Sequence, residues 1–512
     1  MVDGLCPRDA YRKTLDRIGA QGGQKSRLGI SALMWICHSE RPLRAKELCQ
    51  ALAVEIGSTD YNADNAPSIE TVLSCCQGLA MADKEGSTVR LIHCTLQEYL
   101  TSNRNIFQSP HSAIAETCLA YLNSQQVMAL SSPCVRSTQH LPFLEYSSLY
   151  WGAHMKKELT KHGKTLALKL FSRYEYHISI WLLLEHMLGR YHLRSIRGFH
   201  KFTGLHFASI FGLVEVAKAL ARMDGVDING MDETGATPLL WAAKCGHEAA
   251  VRLFLALKGV EPDRPDCNGQ VPIACAAENG HEAVIKLLLG REDVNPNRLD
   301  SWKRTPISWA AGNGHVAVVK LLLGRKDINP DRPDYLGQPP VSCAAENGHE
   351  AVVKLLLGRE DVNPDRPDGQ DRTPVSWAAN NGHDTVVKLL LNRKDVNPDR
   401  PDSCGQTPIS RAAENGHEAV VKLLLGREDV IPDRPDHSGR TPILWAAANG
   451  CEAVMELLVW RKDVSLFRSD YSGNTLRSLA IKNNHEAVIK LLLRALEDAR
   501  KRCETECKML AG

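Results

Sequence analysis

The 512-residue sequence lacks the features that mark secreted, membrane-spanning or strongly charged proteins. Residues 1–30 contain no apolar core of a signal peptide, and the most apolar later run, at 178–188, is short and carries Glu185 and His186. Lys and Arg number 62 against 60 Asp and Glu, so no global field favours nucleic acid or a membrane. The 16 cysteines show no disulfide spacing and no CxxC pair. We expect a reduced, cytoplasmic protein, and a nuclear location is also compatible with this composition.

Catalytic and metal-binding motifs are missing as well. The stretch GAQGGQKS at 19–26 imitates the phosphate loop GxxxxGK[ST], but Gln24 replaces the glycine that lets the backbone curl around phosphate. We therefore predict a flexible connector there. No GxSxG hydrolase elbow appears. Cys503 and Cys507 are four residues apart on a terminal helix and could hold a metal only with two more ligands. The sequence predicts no catalytic residue, no cofactor and no metal.

Repetition takes the place of these motifs. Gly-His pairs recur at 34-residue steps from 246 to 417, and Gly450-Cys451 and Asn484-His485 continue the series. The segment TGLHFAS at 203–209 supplies a degenerate first member, which gives nine units. Units of this length build solenoid folds, because each unit can bury its apolar face only against a neighbour.

Each unit specifies its own local structure. In RTPISWAAGNGHVAVVKLLLGRKD, Thr305 stands at a helix N-cap position and Pro306 at the first helical residue. Gly314 can adopt positive φ to end that helix, and VAVVKLLL then has the apolar spacing of a second, antiparallel helix. The recurring segment NPDRPD favours turns and excludes helix, which predicts an extended finger between units.

This pattern resembles the ankyrin repeat over about three fifths of the chain. One departure concerns the ankyrin Thr-Pro-Leu-His signature, whose histidine survives only as His206. The hydrogen bonds that this histidine would make between units must therefore come from elsewhere. The one histidine per unit that the Gly-His series does keep is not expected to bind metal, because equivalent points on packed helices lie roughly 8–10 Å apart.

A second period of 68 residues overlays the first. At one helical position, tryptophans alternate with smaller or charged residues in the order Trp241, Cys275, Trp309, Cys343, Trp377, Arg411, Trp445. The array therefore looks like the product of duplicating pairs of units. Because the position precedes a buried Ala-Ala pair, we predict that the tryptophans pack within or between units rather than contact a ligand.

The amino-terminal third has a different organisation. GISALMWICHS, RPLRAKELCQAL and SIETVLSCCQGL predict three helices, the third capped by Ser68, and two short strands flank the turn at 83–86 before the helix TLQEYLTS. Three helices and a hairpin make a winged helix. RPLRAKEL, CCQGL, STVRLIHCTLQEYL and LEYSSLYWGAH resemble the winged-helix module of fungal NACHT and ankyrin proteins, which is catalogued with a GPI inositol-deacylase winged helix. The resemblance covers roughly 11–160 and implies no lipid hydrolysis.

The resemblance also implies a role for one histidine. In such signalling NTPases a Met-His-Asp motif follows the hairpin, and its histidine reaches the phosphate of bound ADP. His93 matches this position, with Ile92 and Cys94 replacing the other two residues. The chain has no NTPase module of its own, so we expect His93 to pack structurally unless a NACHT-type module is supplied by another chain.

Together these observations predict a mostly α protein. We expect an N-terminal helix and connector at 1–26, a winged-helix module at 27–104 and a helical bridge at 105–200. An α-solenoid of about nine ankyrin repeats with β-hairpin fingers and a C-terminal helical cap is expected at 201–512.

The favoured function is a non-catalytic protein-protein interaction scaffold, the sensing and regulatory part of a fungal NOD-like receptor that lacks its NTPase. A protein ligand would bind the concave face of the array, where aromatic and arginine side chains supply most binding energy. The candidate contacts are Asn268, Gln270, Trp302, Arg304, Tyr335, Leu336, Gln338, Gln370, Arg372, His437 and Arg440.

Two alternatives stay open from the sequence. The first is nucleic-acid binding by the winged helix, but its third helix carries Glu70 and no Lys or Arg, which makes nucleic acid an unfavourable partner. The second is a part of a split signalling NTPase, which the missing phosphate loop disfavours.

Overall fold

The computed structural model describes residues 7–58, 61, 63–83, 87–130, 141–171, 179, 182–183, 186 and 201–510, with side chains up to residue 498. The chain divides into two compact parts, Met1–Glu261 and Pro262–Gly512, and each is described by itself. The predicted domain boundaries at 26, 104 and 200 stay predictions. No helix in the described part is long and apolar enough to cross a membrane.

The predicted winged helix is present in the first part. Its core contains Leu33, Leu48, Val72 and Leu96, all fully buried. A three-stranded antiparallel sheet has the order β1-β3-β2, and the predicted cap Ser68 accepts a hydrogen bond from the Thr71 amide through its Oγ. The hairpin turn at 84–86 lies outside the described residues. The elements are α1 (Pro7–Ala20), α2 (Gly23–His38), β1 (Leu43–Arg44), α3 (Ala45–Leu52), a 3-10 turn (Ala63–Asn65), α4 (Ile69–Cys75), β2 (Ala80–Ala82), β3 (Thr88–Leu91) and α5 (Cys94–Ser102).

The flexible connector predicted at 19–26 is a tight turn instead. Helix α1 ends at Ala20 and α2 begins at Gly23, so Gln24 already lies in the first turn of a helix. Only two residues join the helices, and Gly22 has φ 69. The Gln21 amide donates from Nε2 to the Cys75 carbonyl at 2.9 Å, which anchors the turn to the end of α4.

Four helices of the predicted bridge are described: α6 (Pro110–Leu122), α7 (Gln125–Met128), α8 (Phe143–Lys157) and α9 (Lys161–Phe171). Trp151 in α8 stacks on Phe207 of the first repeat with ring centroids 4.6 Å apart, and Phe171 lies 5.5 Å from the same ring. The bridge therefore covers the apolar face of the first repeat. Most of 172–200, including most of the apolar run at 178–188, lies outside the described residues.

The repeat array contains nine helix pairs, two in the first part and seven in the second. The predicted boundaries hold in the unit quoted above, where Thr305 Oγ1 accepts from the Ser308 amide at 3.3 Å and Gly314 has φ 74. Repeats 1–9 comprise Gly204–Phe211 and Val214–Leu220; Pro238–Lys244 and Glu248–Leu255; Pro272–Glu278 and Glu282–Leu289; Pro306–Gly312 and Val316–Leu323; Pro340–Glu346 and Glu350–Leu357; Pro374–Asn380 and Asp384–Leu391; Pro408–Glu414 and Glu418–Leu425; Pro442–Asn449 and Glu452–Val459; Leu476–Lys482 and Glu486–Leu510.

The histidine of the Gly-His pair supplies the missing bonds between repeats. His349 Nε2 is hydrogen-bonded to the carbonyl of Gly312 in the preceding repeat at 3.1 Å. The equivalent bonds of His383 to the Glu346 carbonyl and of His417 to the Asn380 carbonyl are both 3.0 Å long. The imidazole packs so closely that a Cβ on Gly314 would lie 2.6 Å from His349 Nδ1. Asn484, with φ 59, occupies this glycine position in repeat 9.

The fingers between repeats are hairpin turns without extended strands. Asp300 donates from its amide to the Arg304 carbonyl at 3.1 Å, which closes one such turn. Among the described residues of the array, a strand-like bridge forms only between Ser469 and Thr475. The predicted β-hairpin fingers are thus reduced to their turns. The predicted cap is the 25-residue helix Glu486–Leu510, and the side chains of Cys503 and Cys507 on it lie outside the described residues.

Candidate interaction surface

Each finger is organised around one aspartate, which is half-buried in the fingers of Asp266 and Asp334 and buried in the others. Asp300 Oδ1 accepts from the amides of Trp302 and Arg304 at 2.9 and 2.8 Å, while Oδ2 accepts from Trp309 Nε1 at 3.0 Å. A carboxylate with this many donors fixes the whole turn, because each bond satisfies a group that would otherwise be buried unpaired. The same two amide bonds recur at Asp232, Asp266, Asp300, Asp334, Asp368, Asp402, Asp436 and Asp470.

Two kinds of finger alternate along the second part. In the first kind an arginine stacks on the tryptophan of the following helix: the guanidinium carbon lies 3.9 Å from the ring centroid for Arg304 on Trp309, and 3.6 Å for Arg372 on Trp377. Arg440 repeats the arrangement on Trp445 at 4.6 Å. Because each of these indoles also donates to a finger aspartate, the tryptophans serve the fold, as their position before Ala-Ala predicted.

In the second kind a glutamine replaces the arginine. Gln270 donates from Nε2 to Glu278 at 3.2 Å, and Gln338 donates to Glu346 at 2.7 Å. Only 7% of Gln270 and 8% of Gln338 is exposed. These two candidates are therefore corrected: their amides are used inside the fold and are not free to contact a ligand. The alternation of arginine and glutamine fingers accounts for the 68-residue period.

Six of the remaining candidates lie at the finger tips, and the three arginines follow the tips in the sequence. Tyr335 and Leu336 are 71% and 63% exposed, and Trp302 is 44% exposed. Asn268, Gln370 and His437 are also exposed, whereas Arg304, Arg372 and Arg440 are half-buried against their tryptophans.

Backbone hydrogen bonds join neighbouring tips. The Tyr335 amide donates to the Trp302 carbonyl at 2.8 Å. Equivalent bonds run from Ser301 to Asn268, Gly369 to Leu336, Ser403 to Gln370 and His437 to Cys404. We name residues 267–268, 301–303, 335–336, 369–371, 403–404 and 437–438 the tip row. Its backbone is held in place before any ligand arrives.

Two residues of the tip row have a strained backbone. Lys303 and Asp371 have φ values of 58 and 59, at the position where the other fingers carry glycine, such as Gly337 with φ 80. Non-glycine residues in this region cost of order 1 kcal/mol, and such strain gathers at functional sites. The candidate list omitted both residues, although the break in the glycine series was visible in the sequence.

Arginine–aspartate ion pairs connect neighbouring repeats next to the fingers. Arg366 donates from Nη1 to Asp331 Oδ2 at 2.8 Å, and Arg298 to Asp263 at 3.2 Å. Burial raises the pKa of both carboxyls, while the bond from the arginine opposes the shift.

His93 lies at the N-cap of α5. Its Nδ1 accepts from the Thr95 amide at 3.2 Å, and the residue is exposed. The expected packing role is replaced by a capping role. The described part of the winged helix also leaves α4, its third helix, with no basic residue.

Comparison with known families supports both modules. Residues 17–113 match the model described as GPI inositol-deacylase, winged helix domain. The model described as ankyrin repeats (3 copies) matches 182–266, 205–300, 274–368 and 342–436. No curated protein matches the chain. The predicted order of a winged helix followed by ankyrin repeats is confirmed, whereas the fungal NACHT assignment gains nothing from these matches.

Proposed function

Because the chain carries a winged-helix domain of the GPI inositol-deacylase type followed by ankyrin repeats, we propose that it is a non-catalytic scaffold that binds a protein ligand through the tip row. Ankyrin repeats indicate a protein-interaction role in general, and the tip row supplies a specific surface on the face expected to be concave. The observation that carries the proposal is the exposure of Trp302, Tyr335 and Leu336 on a row whose backbone is hydrogen-bonded from finger to finger.

The composition of this surface suits a binding hot spot. Arg304 stacks between Trp302 and Trp309, at 5.1 and 3.9 Å from the two ring centroids. Aromatic and arginine anchors contribute most of the free energy in protein interfaces. A backbone that is fixed in advance loses little conformational entropy on binding. A protein partner with an apolar patch ringed by polar groups would fit these side chains.

We further propose that the winged helix and the bridge transmit ligand binding, as in the regulatory part of a NOD-like receptor. A NACHT-type NTPase from another chain would be the second partner. The exposed His93 at the start of α5 supports this idea, since its ring is accessible to a separate module. We expect the NTPase to co-purify with the wild-type chain but not with a His93→Ala variant that folds normally. Unchanged co-purification would contradict this role of His93.

The proposal is tested with the full-length chain and two paired variants. The double variant Tyr335→Ala and Leu336→Ala removes the most exposed apolar side chains of the tip row. Trp460→Ala is the control, because Trp460 is 42% exposed and lies at the end of a second helix, away from the fingers. Proteins captured by the wild-type chain and the control, but not by the double variant, are the expected ligands.

Binding of each captured protein is then measured with purified components. Loss of two hot-spot side chains should weaken binding by roughly 2–4 kcal/mol, or about 30- to 1,000-fold. Equal capture by all three chains would exclude the tip row as the binding surface. DNA binding with a steep salt dependence would favour the nucleic-acid alternative instead.

A further inference from the structure

A cluster of polar side chains lies in the first part of the chain. Glu40 follows α2, His111 lies in the first turn of α6, and His154 lies near the end of α8. One side-chain nitrogen of each histidine and one carboxylate oxygen all lie within 4.8 Å of one another. The two Nδ1 atoms are 2.8 Å apart, and His154 Nδ1 is 3.9 Å from Glu40 Oε1. The His154 side chain is completely buried.

Both ring nitrogens of His154 have a hydrogen-bond partner. Its Nε2 lies 2.9 Å from the Tyr146 hydroxyl, which also accepts from the Glu40 amide at 3.1 Å. A hydroxyl has two lone pairs, so Tyr146 can accept from His154 Nε2–H as well. In that tautomer the lone pair of His154 Nδ1 points towards His111 and Glu40.

This arrangement has the features of a first and second coordination shell. Two imidazole nitrogens and one carboxylate form a donor set that binds Zn²⁺, and a tetrahedral zinc with bonds of about 2.0–2.1 Å holds its ligand atoms roughly 3.3 Å apart. The two measured distances, 2.8 and 3.9 Å, differ from this value by roughly half an ångström. Metal-binding histidines usually have a fixed hydrogen-bond partner at their second ring nitrogen, and His154 Nε2 has one in the Tyr146 hydroxyl.

The neighbouring charges are compatible with a cation at this point. Lys157 Nζ lies 2.7 Å from Glu40 Oε1, so a positive charge already balances the carboxylate. The lysine side chain is 50% exposed and can turn outwards, and the Glu40 side chain is 24% exposed, which gives solvent access to the cluster. The His38 ring lies 5.3 Å from the His111 ring. Glu158 accepts from the Ser112 amide at 2.9 Å and so fixes the turn that carries His111.

The backbone that presents His111 is also unusual. Ser109, the residue before α6, has φ 46, which is uncommon for a residue other than glycine. Strain of this kind is retained where the position of a nearby side chain matters. Here it sets the start of the helix that holds His111 against His154.

We propose that Glu40, His111 and His154 form a zinc site with a fourth coordination position open to water. The site joins the end of α2 to two helices of the bridge, α6 and α8. Sequence spacing gave no sign of it, because the two histidines are 43 residues apart and no short ligand motif links them. Zinc bound here would stabilise the contact between the winged helix and the bridge, since a ligand that binds only the folded state raises stability.

The test uses the full-length chain after removal of metals with a chelator. Zinc is titrated alone, and bound zinc per chain, affinity and thermal unfolding are measured. Cobalt is then substituted, because its visible spectrum separates a histidine-carboxylate site from binding by the chain's cysteines. We expect one bound ion with a tetrahedral spectrum that has no thiolate charge-transfer band, and a higher melting temperature with zinc.

Variants assign the site to these residues. Glu40→Gln and His111→Asn should each lose the bound ion, while His162→Asn, on the exposed face of α9, should keep it. Tyr146→Phe removes the hydroxyl that contacts both His154 Nε2 and the Glu40 amide, and it should weaken zinc binding by about 10–100-fold. Circular dichroism and unfolding without metal show whether each variant is folded.

Two outcomes would overturn the proposal. If the wild-type chain binds no zinc, the two histidines share a simple hydrogen bond. If folded Glu40→Gln and His111→Asn variants bind zinc as tightly as the wild type, the ion belongs to other residues.

Discussion

At the scale of single residues, the histidine of each Gly-His pair shows what one side chain contributes to the array. His349, His383 and His417 each bond to a carbonyl 37 residues upstream. Cys451 takes this position in repeat 8, where its Sγ lies 3.8 Å from the Glu414 carbonyl. A thiol is a weak donor, so this contact between repeats is weaker than the others.

Restoring the histidine should therefore stabilise the chain. We predict that Cys451→His raises the free energy of unfolding by about 1 kcal/mol, because an imidazole N–H replaces a weak thiol donor. Urea denaturation measures the change. The reverse variant, His349→Cys, is the matched control and should lower stability by about the same amount. A lower stability of Cys451→His would mean that the imidazole does not fit between repeats 7 and 8.

Single residues also show which features of the fold could be predicted from the sequence and which could not. The spacing of Thr305, Pro306 and Gly314 predicts the helix boundaries correctly, because caps and turns depend on local geometry. The burial of Gln270 and Gln338 could not be predicted in this way. Each is a polar residue beside exposed tips, and its partner, a glutamate eight residues later, is brought close only by the folded finger.

At the scale of elements, each finger depends on the number of bonds that its aspartate accepts. Asp368 Oδ1 accepts two backbone amides, and Oδ2 accepts from Trp377 Nε1 at 3.1 Å and Arg372 Nε at 3.2 Å. An asparagine has one carbonyl oxygen, and its NH₂ group cannot accept a hydrogen bond. Such an element needs both carboxylate oxygens. This explains aspartate rather than asparagine at the six positions where Oδ2 also accepts a side-chain donor: Asp232, Asp300, Asp368, Asp402, Asp436 and Asp470.

We predict that Asp368→Asn lowers the free energy of unfolding by about 2 kcal/mol, since the Trp377 and Arg372 donors lose their acceptor. Trp377→Phe removes the indole donor. The double variant should be less destabilised than the sum of the two single variants, because the lost indole bond is counted twice in that sum.

Asp371→Asn is the control for this cycle. Asp371 is exposed at the tip, so the same change of charge should alter stability by less than about 0.5 kcal/mol. Strict additivity of Asp368→Asn and Trp377→Phe would show that the indole bond contributes nothing.

At the scale of the whole molecule, the alternation of two finger types makes a pair of repeats the natural building unit. The tryptophan of one repeat stands where the next repeat has a cysteine or arginine, so large and small side chains alternate along the row. The sequence period of 68 residues predicted this pairing, but its basis in arginine-tryptophan and glutamine-glutamate fingers required the folded structure. The cluster of Glu40, His111 and His154 could not be predicted from the sequence at all, because its three residues come from separate elements that only the fold brings together.

The array can therefore be shortened by two repeats more easily than by one. Deleting 349–416 joins Gly348 to His417 and keeps the alternation of fingers, whereas deleting 349–382 joins Gly348 to His383 and places two glutamine fingers side by side. We expect the two-repeat deletion to unfold in a single transition with a smaller dependence on urea, because less surface is exposed.

The one-repeat deletion should be no more stable than the two-repeat deletion, although it retains more residues. Both deletions keep Trp302, Tyr335 and Leu336, so ligand capture should persist wherever the fold persists. Urea titrations followed by tryptophan fluorescence and by circular dichroism measure both effects. If the one-repeat deletion were more stable by the contribution of a whole repeat, the two finger types would be interchangeable. A single repeat, rather than a pair, would then be the building unit, because the contact between neighbouring repeats would not depend on their finger types.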